Sequence, residues 1–172
     1  MDTNEKISFI HNELWILVFG AAFQRAKIYK KGVIEKQKMN FRRGLKTLVV
    51  DDIIPKYKES VKESEHLKYI RQINDFSEEY AVILNNDRLT FGVSQKILNL
   101  ALKYYWCLGE IKEPPHFPVD RRIQQKIPGH QVISWTNLNC EEEYLSIIDA
   151  AKSKLANGQC LAEWKLENFN RR

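Results

Sequence analysis

The chain has 172 residues, of which 44% are hydrophobic and 28% charged, and its formal net charge is +5 at pH 7. This composition is typical of one globular domain and excludes an intrinsically disordered chain. The apolar run from Leu14 to Ala22 has nine residues, whereas a helix that spans a bilayer needs about 20. The segment before this run holds three acidic residues and one lysine, unlike the positive start of a signal peptide. We therefore expect a cytoplasmic protein without a membrane partner.

The three cysteines and four histidines follow none of the spacings that are typical of metal sites. An odd number of cysteines without a CxxC pair also argues against a disulfide framework. We therefore predict reduced thiols, no metal site and no other cofactor.

Apolar residues recur every three or four positions along most of the chain, which predicts an all-α fold in a single domain over residues 1–172. The first helix is expected to cover ISFIHNELWILVFGAAFQRAKIYKKG and to end at Gly32. NFRRGLKTLVVDDIIPKY is expected to form the second helix, although its β-branched residues leave a strand open at 45–54. KESVKESEHLKYIRQIND has one apolar side and predicts a surface helix.

Capping signals divide the second half of the chain. Ser77, followed by two glutamates, predicts the start of a short helix before a hairpin with the sequence LNNDRLTFGVS. A long helix is expected over about 95–107, and Asp120 is expected to cap the short helix RRIQQKI. Asn139 and Glu142 resemble a capping box for EEEYLSIIDAAKSKLA, and CLAEWKLENFN is expected to form a last helical piece.

A basic stretch runs from Arg25 to Lys46. It contains nine lysines or arginines and one acidic residue, Glu35. Such a stretch can bind phosphates by releasing counterions, and Arg42, Arg43 and Lys46 are our candidate contacts. The alternative is a solvated basic face on two helices.

A second candidate site lies in RLTFGVSQKILNLALKYYW, where a glycine precedes a long helix. Lys96, Asn99 and Lys103 share one face of that helix, which we expect to be exposed. A helix N-terminus offers unpaired N–H groups, so a phosphate is expected on the amides of Gly92, Val93 and Ser94. The alternative is that Gly92 makes a tight turn between helices and that the lysines are solvated.

GVSQKILNLAL, followed by PVDRRI, resembles the helix-hairpin-helix DNA glycosylases. In that family a hairpin of the form G-x-G-x-K/Q-x-A precedes a proline, an apolar residue and a catalytic aspartate. The resemblance covers about residues 89–127 and implies a helix-hairpin-helix motif, with its following helices, over about 77–128. It implies that the hairpin from Gly92 onward holds a DNA phosphate and that Lys96 attacks C1′ of the damaged nucleotide. It also implies that Asp120 stabilises the positive charge that develops on the sugar; Ser94 stands where the family has its second glycine.

The leading hypothesis is a DNA-interacting protein that acts on a flipped base or an abasic site as a glycosylase or lyase. Two alternatives stay open: a non-catalytic DNA-binding module, and a small helical interaction or host-defence protein of a bacterium or phage. A flipped base needs an aromatic or apolar pocket. The candidate pocket residues are Trp15, Tyr104, Tyr105, Trp106, Trp135 and Trp164.

Overall fold

The computed structural model describes residues 3–168 and has an all-α fold, as the sequence predicts. Within those residues there is no β-strand, only an isolated bridge between Tyr29 and Leu84. The helices are α1 (Thr3–Phe23), α2 (Glu35–Thr47), α3 (Glu63–Glu78), α4 (Phe91–Cys107), α5 (Arg121–Gln124), α6 (Glu141–Lys152) and α7 (Leu161–Asn168). None of the helices in this part of the chain is long and apolar enough to cross a bilayer.

Helix α4 is the centre of the fold. It packs against α1, α3, α6 and the 3₁₀ turn Trp135–Asn137. Its residues from Phe91 to Asn99 are all buried, including the polar ones. A helix that is covered on every side belongs in a core, and its polar side chains must find partners inside the protein. The buried polar side chains of α4 therefore determine where a functional site can form.

The first two predicted helices differ from the observed ones in their ends. Helix α1 stops at Phe23 rather than at Gly32, because the chain turns through Lys27, whose φ is +45°, and then makes the bridge at Tyr29. Residues 45–54, for which the sequence left helix or strand open, are helical. Helix α2 continues into a π-helical segment, Leu48–Ile53, and a 3₁₀ segment, Ile54–Lys58. Pro55 lies in the first turn of that last segment, where its missing N–H is tolerated.

The predicted helix start at Ser77 is wrong. Ser77 lies inside α3 and is fully buried, and its hydroxyl donates to the carbonyl of Asn74 and accepts from the N–H of Leu89. The two glutamates that follow it lie at the C-terminal end of α3, and turns then lead to α4. A serine followed by acids has the same pattern at a cap and in a buried cross-link between two segments, so the sequence did not distinguish them.

The predictions for the later helices hold in part. Asp120 caps α5, because its Oδ1 accepts from the N–H of Ile123 at 3.0 Å. The predicted capping box of Asn139 and Glu142 is wrong by one residue: Cys140 is the N-cap of α6, and it is Glu143 that accepts from the N–H of Asn139. Helix α6 also ends earlier than predicted, at Lys152. The end of the predicted last piece, residues 169–170, lies outside the described residues.

Two buried histidines link α3 to the segment before α5. His66 bonds the hydroxyl of Tyr57 at 2.7 Å, and His116 bonds the hydroxyl of Tyr144 at 2.9 Å. The two imidazole rings lie edge to face, with centroids 4.7 Å apart. Burial lowers the pKa of His116 from 6.5 to about 3, and burial together with the neighbouring His116 lowers the pKa of His66. Both rings are therefore neutral in the folded protein at pH 7.

Acid should destabilise the protein before its carboxylates titrate. The unfolded chain binds protons at both histidines below about pH 6.5 and the folded chain does not, so stability is full above that pH and falls below it. Each histidine contributes a slope of about 1.4 kcal/mol per pH unit. Urea unfolding at a series of pH values between neutrality and about pH 5 measures this slope. In the His116→Asn variant, one histidine fewer takes up a proton on unfolding, so the slope of the unfolding free energy against pH should be shallower by about 1.4 kcal/mol per pH unit. An unchanged slope would contradict the neutral histidine pair.

Candidate active site

A cavity of about 730 Å³ opens between α1, α4 and the segment that leads into α5. We call it the Lys96 cavity. Its apolar wall comes mainly from α1 and α4, and its charged side chains come from several different elements. The lining residues are Ile16, Leu17, Gly20, Ala21, Gln24, Arg25, Lys96, Leu100, Lys103, Tyr104, Pro118, Asp120, Arg121, Arg122, Trp135 and Lys165.

Lys96 and Asp120 meet in the wall of this cavity. The Nζ of Lys96 donates to Oδ2 of Asp120 at 2.6 Å, and only 7% and 17% of the two side chains are exposed. The other carboxylate oxygen of Asp120 caps α5 through the N–H of Ile123. One aspartate therefore caps the helix, as its sequence position predicts, and pairs with the lysine, as the family resemblance implies.

Burial and charge act in opposite directions on the pair. Burial lowers the pKa of Lys96, and the attraction of Asp120 only partly offsets this effect. Burial acts to raise the pKa of Asp120, but the charge and hydrogen bond of Lys96, the N–H of Ile123 and the charge of Lys165 together hold it below its usual value. Asp120 is thus ionised at neutral pH, and Lys96 releases its proton more easily than an exposed lysine does.

The side chain of Gln95 fixes the position of Asp120. Its amide donates to the carbonyl of Val119 at 3.0 Å and accepts from the N–H of Val119 at 3.1 Å. The same amide nitrogen also donates to the carbonyl of Gly92 within α4. One turn further along, Asn99 donates to the carbonyl of Phe117 at 3.0 Å. Two amide side chains of α4 therefore hold the segment before α5 as a neighbouring strand would, and Asp120 follows it directly.

The ring of Trp135 lies against the ammonium group of Lys96. Its ring centroid lies 5.6 Å from the Nζ of Lys96, at a distance suited to a cation–π contact. Its side chain is 6% exposed and lines the cavity. The turn that carries it is tied to α4, because the hydroxyl of Thr90 donates to the carbonyl of Thr136 at 2.9 Å.

The predicted phosphate site at the start of α4 is wrong, because its amides are occupied. The N–H of Gly92 donates to the carbonyl of Leu138, that of Val93 to the hydroxyl of Thr90, and that of Ser94 to the carbonyl of Thr90. All three predicted residues are buried. No amide of this trio is directed at solvent for a ligand.

Gly92 is needed for packing rather than for a ligand. A Cβ built at Gly92 would lie 1.7 Å from the carbonyl oxygen of Trp135 and 3.1 Å from the Cβ of Leu138. The backbone of the Trp135 turn thus occupies the space that the sequence had suggested for a phosphate. The glycine still serves the site, since it lets this turn approach α4 and place Trp135 over Lys96.

The exposed face predicted for α4 is corrected as well. Asn99 is fully buried and Lys96 is 5% exposed, whereas Lys103 is partly exposed and lines the cavity. Asn99 is therefore a structural cross-link and not a contact for nucleic acid. Lys103 is the only member of the predicted face that lies partly in solvent.

The three candidates in the basic stretch lie in a different place. Arg42, Arg43 and Lys46 of α2 line a groove of about 980 Å³ between α1 and α2. Arg42 is paired with Glu35, and Lys46 donates to Asn12. They therefore do not join Lys96 in one cavity.

Four cationic residues of the cavity were not singled out as site residues from the sequence. They are Arg25, Arg121, Arg122 and Lys165. Lys165 is notable because it is 2% exposed, comes from α7 and contributes to the low pKa of Asp120. Of the six aromatic candidates for a base pocket, Tyr104 and Trp135 line the cavity.

One group of potential metal ligands occurs among the described residues. Side-chain atoms of Glu113, Cys160 and Glu163 lie within 4.8 Å of one another near the surface, outside the lining of the Lys96 cavity. Burial raises the pKa of the Cys160 thiol to about 12, which favours the protonated sulfur over the thiolate that binds metals.

No protein-family model matches the chain, and no curated protein or solved structure matches it either.

Replacing Gly92 by alanine should destabilise the protein, by roughly 1–3 kcal/mol or more, because the added methyl group collides with the backbone at Trp135. Gly20 is the matched control. It lies in an exposed turn of α1 with no atom within 4 Å of a built Cβ, so Gly20→Ala should stabilise the helix by up to about 1 kcal/mol. Urea unfolding of both variants gives the comparison, and a neutral Gly92→Ala would contradict the close approach.

Proposed function

We propose that this chain is a cytoplasmic DNA-interacting protein that acts on a flipped base or an abasic site with Lys96 as nucleophile, as the helix-hairpin-helix glycosylases do, but without their phosphate contact at the hairpin. The observation that carries the proposal is the pair of Lys96 and Asp120. The two side chains come from separate elements, yet they meet at 2.6 Å in the wall of an open cavity. These are the two residues that the resemblance implied.

The charge of the cavity supports a nucleic-acid substrate. Among the described residues, six cationic side chains and one carboxylate line it. Lys96 pairs with that carboxylate, Asp120, and the charge of Lys165 also acts on it. A cavity with this excess of positive charge favours a polyanion, and a nucleotide with its flanking phosphates fits that description.

The size and walls of the cavity suit a single nucleotide. Its volume of about 730 Å³ falls in the range of small-molecule sites. Tyr104 and Trp135 offer aromatic surface, and Leu100 and Pro118 offer apolar surface. An extruded base needs such surfaces to replace the stacking that it loses in the duplex.

The chemistry requires a neutral amine. Burial favours the unprotonated form of Lys96, which is the nucleophilic one. At an abasic site the Nζ of Lys96 adds to the C1′ aldehyde, and loss of water leaves a Schiff base. At a damaged nucleotide the same atom bonds to C1′ while the glycosidic bond breaks. The base leaves with the electron pair of that bond and takes up the proton that the attacking amine releases.

Asp120 assists this chemistry through its charge. It stays ionised, because Lys96, the N–H of Ile123 and Lys165 stabilise the carboxylate. An anion 2.6 Å from the attacking nitrogen also lies close to the sugar carbon that becomes positive. Its cap to α5 prevents the carboxylate from turning away.

A non-catalytic DNA-binding module is the second candidate, and one observation favours it. A short ion pair that also caps a helix stabilises the ammonium form of Lys96, which is no nucleophile. In that case the pair is a structural link between α4 and α5, and the cations of the cavity bind phosphate without reaction.

Trapping on an abasic oligonucleotide separates the two candidates. With borohydride present, the wild-type protein should form a covalent adduct, and Lys96→Gln should reduce adduct formation to background because it removes the amine. Glutamine keeps a donor for Asp120 and so avoids leaving a buried carboxylate without a partner. Thermal unfolding of the variant verifies that it is folded.

Lys165→Gln provides the matched comparison, because Lys165 is the other buried amine of the cavity. The adduct should persist in this variant, and peptide mapping of the wild-type adduct should locate it on Lys96. An adduct lost only in Lys165→Gln would show that Lys165 of α7, and not Lys96, is the nucleophile. No adduct combined with retained, salt-sensitive DNA binding would support the binding module.

The pH dependence of trapping tests the role of Asp120. The rate should rise with pH and level off below the ordinary lysine pKa of about 10.4, since burial lowers the pKa of Lys96. Asp120→Asn removes the charge that raises the pKa of Lys96, so its midpoint should lie at lower pH than in the wild type, with a lower maximal rate. Asparagine remains a good helix cap. A midpoint shifted to higher pH would contradict this account; cyanoborohydride trapping at fixed ionic strength measures it.

A further inference from the structure

A second binding surface lies beside the Lys96 cavity. We call it the α1–α2 groove; its lining residues are Asn12, Trp15, Ile16, Phe19, Gly20, Phe23, Gln24, Tyr29, Arg42, Arg43 and Lys46. Among the described residues, no acidic side chain lines this groove. Neither the cavity nor the proposed chemistry at Lys96 uses its aromatic or basic side chains.

The apolar part of the groove is a row of aromatic rings. Trp15 and Phe19 have ring centroids 5.2 Å apart, and Phe19 and Phe23 stack at 5.3 Å. Tyr29 meets Phe23 edge to face at the end of the row. Phe19, Phe23 and Tyr29 are only partly buried, so the row presents ring surface to the groove.

Helix α2 supplies the charged rim. Arg42, Arg43 and Lys46 lie within two turns of one another, and all three line the groove. Arg43 is exposed, whereas Arg42 and Lys46 are half-buried with their contacts to Glu35 and Asn12. Cations along one edge of an aromatic floor match a ligand with flat rings and a chain of negative charges.

The groove adjoins the Lys96 cavity. Ile16, Gly20 and Gln24 of α1 line both of them. At the centre of this shared wall, Gly20 has no side chain, and no atom lies within 4 Å of a Cβ built there. A ligand can therefore pass over α1 at Gly20, between the side chains of Ile16 and Gln24.

We propose that the α1–α2 groove binds the unpaired nucleic-acid strand that flanks the nucleotide in the Lys96 cavity, with bases stacked on the Phe19–Phe23 row and phosphates on Arg42, Arg43 and Lys46. The substrate is accordingly single-stranded or locally opened DNA. The link to the cavity rests on the proposed function, whereas the groove's affinity for a single strand does not. A duplex keeps its base faces stacked inside the helix, so it gains little from an aromatic floor.

A charge-reversal pair tests the phosphate contacts. Arg43→Glu lies in the groove, and Lys36→Glu makes the same change on an exposed residue of α2 that does not line it. Fluorescence anisotropy should show single-stranded DNA of about 12 nucleotides binding at least roughly tenfold more weakly to Arg43→Glu than to Lys36→Glu. Arg43→Glu should also lower the salt slope by about one. Equal losses in the two variants, or equal losses for single strands and duplex, would overturn the proposal.

Crosslinking tests the stacking without altering the protein. Single strands that contain 5-bromodeoxyuridine should crosslink under ultraviolet light to the tryptic peptide 7–25, which holds Phe19 and Phe23. Crosslinks confined to other peptides would overturn the stacking. Displacement of the strand by polyglutamate at equal charge concentration would instead assign the groove to an acidic protein segment.

The same titration in Lys96→Gln distinguishes the two proposals. Single-strand binding should survive this variant within about twofold, because Lys96 makes no part of the groove. Retained binding without any borohydride adduct in the wild type would refute the chemistry at Lys96 and support the groove. An adduct formed by the wild type and equally by Arg43→Glu, with unchanged single-strand affinity, would refute the groove and support the chemistry.

Discussion

The buried pair of Lys96 and Asp120 is the constraint around which the site is organised. Removing two charges from water costs several kcal/mol for each ion, and the attraction between them offsets that cost only when the geometry is good and the remaining polar atoms are bonded. Here Oδ2 of Asp120 accepts from Lys96, Oδ1 caps α5, and the ring of Trp135 faces the ammonium group. The pair therefore forms only when three separate parts of the chain are in place. Gln95 holds one of them and Gly92 makes room for another.

This arrangement gives one lysine properties that the surface lysines lack. Burial lowers the pKa of Lys96 while Asp120 retains its charge, so a lysine that releases its proton more easily lies beside an anion in the wall of a cavity rich in positive charge. On α1 the cavity adjoins the α1–α2 groove, because Ile16, Gly20 and Gln24 line both of them. A nucleic-acid strand, with negatively charged phosphates and flat bases that can leave the stack, fits both the cavity and the groove. The buried histidines bond Tyr57 and Tyr144, whose side chains do not line the cavity, so they stabilise the scaffold rather than the cavity.

Local patterns predicted the helices well and the long-range contacts poorly. The periodicity of α4 and the cap at Asp120 depend on neighbours in sequence, so both could be recognised. The convergence of Lys96 with Asp120 was implied only by a family resemblance, because no local rule relates two residues across a long loop. Gly92 was misinterpreted for the same reason: the sequence shows that a side chain is missing but not that the backbone of Trp135 fills the space. Gln95 and Lys165 gave no local signal, since the partners of a buried amide or amine become visible only when the chain is folded.

The most direct test of the account is the pKa of Lys96 itself. Lysine labelled with ¹³C at Cε allows each side chain to be titrated by NMR, and the resonance absent from Lys96→Gln identifies Lys96. We expect a midpoint clearly below the ordinary lysine value of about 10.4, and a further decrease in Asp120→Asn. A midpoint at or above the ordinary value would show that the ion pair holds the ammonium form, which would contradict Lys96 as a nucleophile.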